Sequence, residues 1–303
     1  MYDTSDPRSA LPTTNSPAPA TTELGEPQLI ALRSTEPTFV SAAGSRVWHV
    51  RTATFLVIYY ELTAHDTVAL LPATGDRVVM VPHEGEVVTV EIDDVTAGDS
   101  SATVGSASVM VVPGAARITA RTAATVIETA SYKDLGPTPP AVNEHAYAEP
   151  MPRVAESAAR RVNGLQGAIT VYPLKDFEPS PDRFGRIFCS SNMMVNLLEV
   201  EHGPRDTARL SPHLHDDFEQ CSITTRGTYV YHWRAPWTPD LGSWREDLHP
   251  SVDSPAITLI PPGVIHTANS TTGGENQMID VFSPPRGDFI SKGWVLNSRD
   301  SDL

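Results

Sequence analysis

The segment Ser211–Gly227 reads SPHLHDDFEQCSITTRG, and the rest of the chain is best read outward from it. In an extended backbone side chains repeat with period two, so His213 and His215 project to one face. Such a pair presents two imidazoles to a single ion. After the turn that follows, Glu219 or Gln220 can add an oxygen ligand. A third histidine, His266, lies in PPGVIHTAN (Pro261–Asn269), whose proline and glycine set the angle of the strand that follows. Three imidazoles and one oxygen donor suit divalent iron, manganese, nickel, copper or zinc. They leave one or two positions for water, oxygen or a chelating ligand. An isolated histidine in an acidic protein is most often a surface or capping residue. The clustering of all four positions is what points to a metal.

The surrounding composition fits a β-rich, soluble protein. The chain has 303 residues, enough for two domains, and 40% of them are hydrophobic. Its 27 prolines and 19 glycines, against only 19% charged residues, imply many turns and short elements. A formal net charge of −15 leaves no large basic surface to neutralise phosphates, so nucleic acid is not an expected partner. Cys189 and Cys221 are the only cysteines and make no disulfide framework. The start of the chain has no apolar signal-peptide core, and no apolar stretch approaches the roughly 20 residues needed to span a bilayer. A cytoplasmic location without membrane contact is expected.

Residues 1–25, rich in Pro, Thr, Ser and Ala, are expected to form a disordered leader. Short Val-, Ile- and Tyr-rich segments then predict strands at 54–62, 77–81, 86–92, 107–112 and 123–129. Residues 136–167 read as a connector, with a short helix expected over Ala155–Val162. Strand signals resume at 168–172, 186–190, 196–201, 221–225, 228–233, 256–260 and 277–282. The stretch 235–254, containing Trp237, Trp244 and Asp247, reads as an ordered loop that could cover a site. The two halves also resemble each other. Arg46 and Arg186 open similar strands 140 residues apart, Gly85 and Gly227 lie 142 apart, and Pro113–Gly114 and Pro262–Gly263 lie 149 apart. An N-terminal domain over 26–135 and a C-terminal one over 168–303 follow.

These motifs resemble those of the cupin superfamily, and the duplication is similar to that of its two-domain members, the bicupins. The family's first motif, G(x)5HxH(x)3–4E(x)6G, is matched at His213, His215 and Gly227, with Thr207 in place of the leading glycine. The second, G(x)5PxGxxH(x)3N, is matched at Pro261, Gly263 and His266, with Pro255 for the leading glycine and Asn269 one residue early. The resemblance covers roughly residues 40–130 and 168–295. It implies an all-β fold of duplicated cupin barrels, also called double-stranded β-helices or jelly rolls. It leaves the fourth ligand open. The distance to Gly227 selects Gln220, while charge and strand alternation select Glu219. We take Gln220 as the ligand beside His213, His215 and His266, and Glu219 as a catalytic group.

Carrying the repeat offsets into the first half places Leu71, Ala73, Val78 and Arg117 where the metal ligands stand in the second. None is a normal ligand, so the N-terminal barrel is expected to be a degenerate copy without metal. His49, His65 and His83 do not reproduce the ligand spacing. His232 is the second catalytic candidate, as a proton carrier. Asn196, Tyr229, Tyr231, Trp233, Arg234 and Phe282 are candidates to line a substrate pocket. The resemblance implies a metal-dependent enzyme, with iron as the first expectation and manganese, nickel, copper or zinc as alternatives. The reading preferred on sequence is a dioxygenase or related oxidoreductase acting with dioxygen on a small enol, phenol or keto acid. A non-redox isomerase, cyclase or lyase using the ion as a Lewis acid stands as the alternative, and a non-catalytic binding or regulatory bicupin as a third. A homodimer is expected.

Overall fold

The computed structural model describes residues 24–93, 101–151, 154, 168–183, 185–215, 218–234 and 244–298. Most of the expected leader, the expected helix Ala155–Val162 and Trp237 lie outside the described residues. In chain order the strands are β1 Gln28–Ala31, β2 Phe39–Val40, β3 Arg46–Arg51, β4 Phe55–Leu62, β5 Thr67–Ala69, β6 Asp76–Val81 and β7 Val88–Ile92. They continue as β8 Ser101–Val104, β9 Ser108–Pro113, β10 Ala116–Ala120, β11 Ala124–Ser131, β12 Thr170–Pro173, β13 Arg186–Cys189 and β14 Met194–Leu197. After these come β15 Glu201–His202, β16 Gln220–Arg226, β17 Thr228–Arg234, β18 Ser251–Asp253, β19 Ala256–Ile260, β20 Ile265–Ser270 and β21 Glu275–Phe282. Among the described residues the registered strand pairs are antiparallel.

Two kinds of strand are visible in the sequence patterns. β4, FLVIYYEL, is buried at every position but Glu61, because both its faces are covered. Its aromatic and branched residues suit that environment. β17, TYVYHWR, alternates instead, burying Tyr229, Tyr231 and Trp233 while Thr228, Val230, His232 and Arg234 are more open. Burying a large apolar side chain contributes roughly 1.5–3 kcal/mol, so this alternation fixes which face of β17 turns inward.

The chain divides into two compact units. One gathers the described residues among 1–31, 150–156 and 200–278, including all the clustered histidines. In this histidine unit β1, β19, β16 and β21 follow one another in one sheet, and β18, β17 and β20 form a second. Its core joins Tyr229, Tyr231 and Trp233 of β17 to Ala256 and Ile260 of β19, with Leu29 and Ala31 of β1 against them. Leu24, inside the expected leader, belongs to the same core. The unit thus takes its edge strand from the start of the chain, with Gln28 opposite Leu259 and Ala31 opposite Ala256.

The larger unit gathers the described residues among 32–149, 157–199 and 279–303. Its main sheet runs β12-β9-β6-β11-β4-β3-β2, and a second runs β5-β10-β7-β8. Here β12 comes from beyond the connector and pairs with β9. Both units therefore draw strands across the boundaries expected from sequence.

The repeat landmarks occupy matching places. β6 lies between β9 and β11 as β16 lies between β19 and β21. Gly85 and Gly227 both adopt positive φ, at 79° and 91°, as do Gly114 and Gly263, at 62° and 84°. At Gly227 a Cβ atom would also collide with the Asn276 side chain.

The interior of the larger unit holds an ion pair. Arg77 and Glu128 are both fully buried, with Arg77 Nη1 2.8 Å from Glu128 Oε1. The Tyr60 hydroxyl donates to Glu128 Oε2 at 2.5 Å, and the guanidinium also donates to the carbonyls of Leu71 and Gly114. Burial, and then the Glu128 charge, push the Tyr60 hydroxyl far above its ordinary pKa. Val78 is buried in β6. Arg117 lies on β10, half exposed, bonded to Glu91 and Asp93.

Candidate metal centre

His213, His215 and His266 each place a ring nitrogen within 4.8 Å of the other two. Among the described residues, this is the group of His, Cys, Asp and Glu side chains that could hold a metal ion. Backbone hydrogen bonds create the convergence. His213 N donates to His266 O at 3.0 Å, and His266 N donates back to His213 O at 2.8 Å. Gly263 N donates to His215 O at 2.6 Å. The His-x-His segment is thereby bonded directly to the Pro-Gly turn and β20. Gly263 occupies the left-handed region that this turn requires.

The rings are oriented by their own backbone. His213 Nδ1 lies 2.9 Å from Ser211 O, and His266 Nδ1 lies 2.9 Å from Val264 O. A carbonyl only accepts, so in both rings Nδ1 carries a proton, and a neutral ring so held has its lone pair on Nε2. Burial is the main cause that holds His266 well below the ordinary histidine pKa, and the nearby His213 adds to it. Its ring is neutral at pH 7. His215 stacks on Phe218 with centroids 4.3 Å apart.

Gln220 brings its amide oxygen to the histidine cluster. Its Oε1 lies 2.7 Å from His215 Nε2 and 3.1 Å from His266 Nε2. Its Nε2 donates to Ser222 Oγ at 3.1 Å, which turns the oxygen toward the rings. Gln220 and Ser222 share a face of β16 by the period of two. Sequence reasoning missed Ser222, although that period was available. Glu219 is also buried but is not part of the clustered group.

The other candidates separate by face and by unit. Trp233 pairs directly with His266 across β17 and β20, so the two share a face. Tyr229 and Tyr231 lie on that buried face as well. His232 does not. It pairs with Thr267 on the opposite face, with Nδ1 2.8 Å from His249 Nδ1 and Nε2 2.7 Å from Asn269 Oδ1. The expected catalytic role of His232 is therefore corrected, because strand alternation turns it away from His266. Arg234 shares that opposite face, its Nε 3.9 Å from Asp247 Oδ2. Asn196 and Phe282 belong to the larger unit, where Phe282 packs edge-on against Phe289. Trp244 is 41% exposed. Cys189 and Cys221 are buried and in no disulfide.

No family model and no curated protein matches the sequence. Solved structures do match the fold. The oxalate decarboxylase of Lactobacillus farciminis, in a formate complex, superposes with a TM-score of 0.57 at 11% identity, over 88% of this chain and 89% of that one. A variant of the Bacillus subtilis oxalate decarboxylase gives 0.57 at 12% identity, over 86% and 78%. A structure of that Bacillus subtilis enzyme described for its Mn(II) centres gives 0.56 at 11% identity, over 87% and 78%.

The fold is a duplicated cupin. At such identities the likeness shows the architecture alone, and the chemistry of this chain has to be argued from its own residues. No helix among the described residues is long and apolar enough to cross a membrane.

Proposed function

We propose that the histidine unit binds one divalent transition-metal ion through Nε2 of His213, His215 and His266 and Oε1 of Gln220. We propose further that the protein is a metal-dependent lyase acting on a small carboxylate. One observation carries the metal assignment. The neutral His266 ring spends its single proton on Val264 O, so its Nε2 lone pair faces the Gln220 oxygen at 3.1 Å. Two acceptors face each other there, an arrangement favourable with a cation between them. An amide turned over, with its NH2 toward the rings, is the competing arrangement, and metal titration separates the two.

The fold neighbours that are decarboxylases favour a lyase over the dioxygenase first expected. In a decarboxylation the bond to the carboxylate carbon breaks, CO2 leaves, and the bonding pair stays on the remaining carbon, which takes up a proton. No net oxidant is consumed. A bound ion supplies Lewis acidity, drawing electron density from the substrate oxygens it holds. The buried Glu219 remains our candidate for carrying the proton. The neighbour with Mn(II) centres makes manganese the first ion to test, beside the iron expected from sequence.

The test is to load the purified protein with manganese, iron or zinc and count metal per chain by mass spectrometry. Carbon-13-labelled dicarboxylates and 2-oxo acids are then screened for CO2 release under nitrogen. One ion per chain and oxygen-independent CO2 release are expected. Turnover only with oxygen uptake restores the oxidative reading. Failure to bind any ion removes the metal centre itself.

A further inference from the structure

Among the described residues, two buried polar atoms on the inner faces of the histidine unit have no hydrogen-bond partner, the indole Nε1 of Trp233 and the hydroxyl of Thr258. Trp233 is 5% exposed and Thr258 fully buried. Buried donors in folded proteins nearly always have a partner, so each such exception needs a reason. Neither lies at random. Trp233 faces His266, which in turn faces His213, so the three stand in one row across β17, β20 and the His-x-His segment. Thr258 lies between Ala256 and Ile260, which share the core of Trp233, and it pairs directly with Ser222, the residue that orients Gln220. Trp233 thus lies directly across from the proposed ligand His266, and Thr258, on the other sheet, lies across from Ser222, two residues along β16 from Gln220.

The chemistry selects the missing partner. An indole N–H donates and never accepts, so its partner must present an acceptor. A ligand beside a divalent cation and next to two such donors is favoured when it carries negative charge on oxygen. We infer that the interior of the histidine unit binds a small carboxylate, with the Trp233 indole N–H and the Thr258 hydroxyl donating to its oxygens. This rests on the metal centre proposed above and names the groups that hold its ligand.

The test uses the full-length protein loaded with Co(II), whose visible absorption reports ligands entering the coordination sphere. Formate serves as the anionic probe and imidazole as a neutral one. Trp233→Phe keeps an aromatic ring and removes the donor, and Thr258→Val keeps the shape and removes the hydroxyl. Each is expected to retain one Co(II) per chain, to bind formate about tenfold more weakly, and to bind imidazole within about twofold of the unaltered protein. Unchanged formate affinity in Trp233→Phe, or a parallel loss for imidazole, overturns the inference. If Trp233→Phe does not fold, the same two outcomes in Thr258→Val decide it. An unaltered protein that takes up no Co(II) instead overturns the metal centre on which the inference rests.

Discussion

Gln220 and Glu219 differ by one peptide bond, and the two have opposite expectations for metal retention. The Gln220 amide oxygen touches two histidine rings, while Glu219 stands outside the cluster. Gln220→Ala is expected to lower metal affinity at least tenfold, and Glu219→Ala to leave metal content near one per chain while reducing turnover. Equilibrium dialysis against manganese checks both, and the reverse pattern would give the ligand role to Glu219. His213→Ala and His266→Ala are expected to remove most bound metal without unfolding the protein. A second prediction concerns His49, buried in β3 with Thr38 Oγ1 2.6 Å from its Nδ1. Burial lowers its pKa from 6.5 to about 4. Below pH 6.5 the unfolded chain takes up a proton that the folded one refuses, so stability falls as pH drops from 6.5 toward 4. The loss reaches about 3 kcal/mol, at 1.36 kcal/mol per unit. His49→Gln should flatten the pH dependence in that window, as read by urea unfolding at pH 7, 5.5 and 4.5.

At the scale of elements, legibility followed locality. The alternation of β17 and the apolar run of β4 are written into consecutive residues, and the expected strands at 228–233 and 54–62 match them closely. β20, which carries His266, reads IHTANS, with little apolar periodicity; its backbone partners in β17 and at His213 make it a strand. β1 is hidden for the same reason. QLIA pairs with residues 256–259, a connection that no local window contains. The orientation of His232 was open on sequence because the inward face of β17 depends on which neighbours cover it. β1 also yields a prediction. Removing residues 1–31 strips the outer partner from β19, whose other edge holds β16 and Gln220 at Ile260. Loss of β1 also uncovers Leu29, Ala31 and Leu24 positions in the core. The truncated chain is expected to lose several kcal/mol of stability and much of its metal affinity, whereas removing residues 1–23 should change neither. Thermal unfolding and metal counts on the two truncations check this.

At the scale of the whole molecule, the two copies handle buried polarity in different ways. One converges three imidazoles and an amide oxygen. The other pairs Arg77 with Glu128 and adds hydrogen bonds from Tyr60 and to two backbone carbonyls. The residue facing Arg117 across β10 and β5 is Ala69, two residues before the Leu71 that the repeat offset matches to His213. No ligand set can form at that pairing. We therefore expect one metal ion per chain, bound in the histidine unit, and a purely structural role for the Arg77–Glu128 pair. Glu128→Ala leaves a guanidinium buried without its counter-ion and is expected to cost about 3–5 kcal/mol. Replacing both partners at once, Arg77→Met with Glu128→Leu, removes both charges and should recover most of that loss, because the desolvation of two ions largely offsets their attraction. Metal stoichiometry should stay at one per chain in every variant that folds. Urea unfolding followed with metal analysis reads both quantities. A second ion in the unaltered protein, or a Glu128→Ala variant within 1 kcal/mol of it, would show that the larger unit does something other than hold its own interior together.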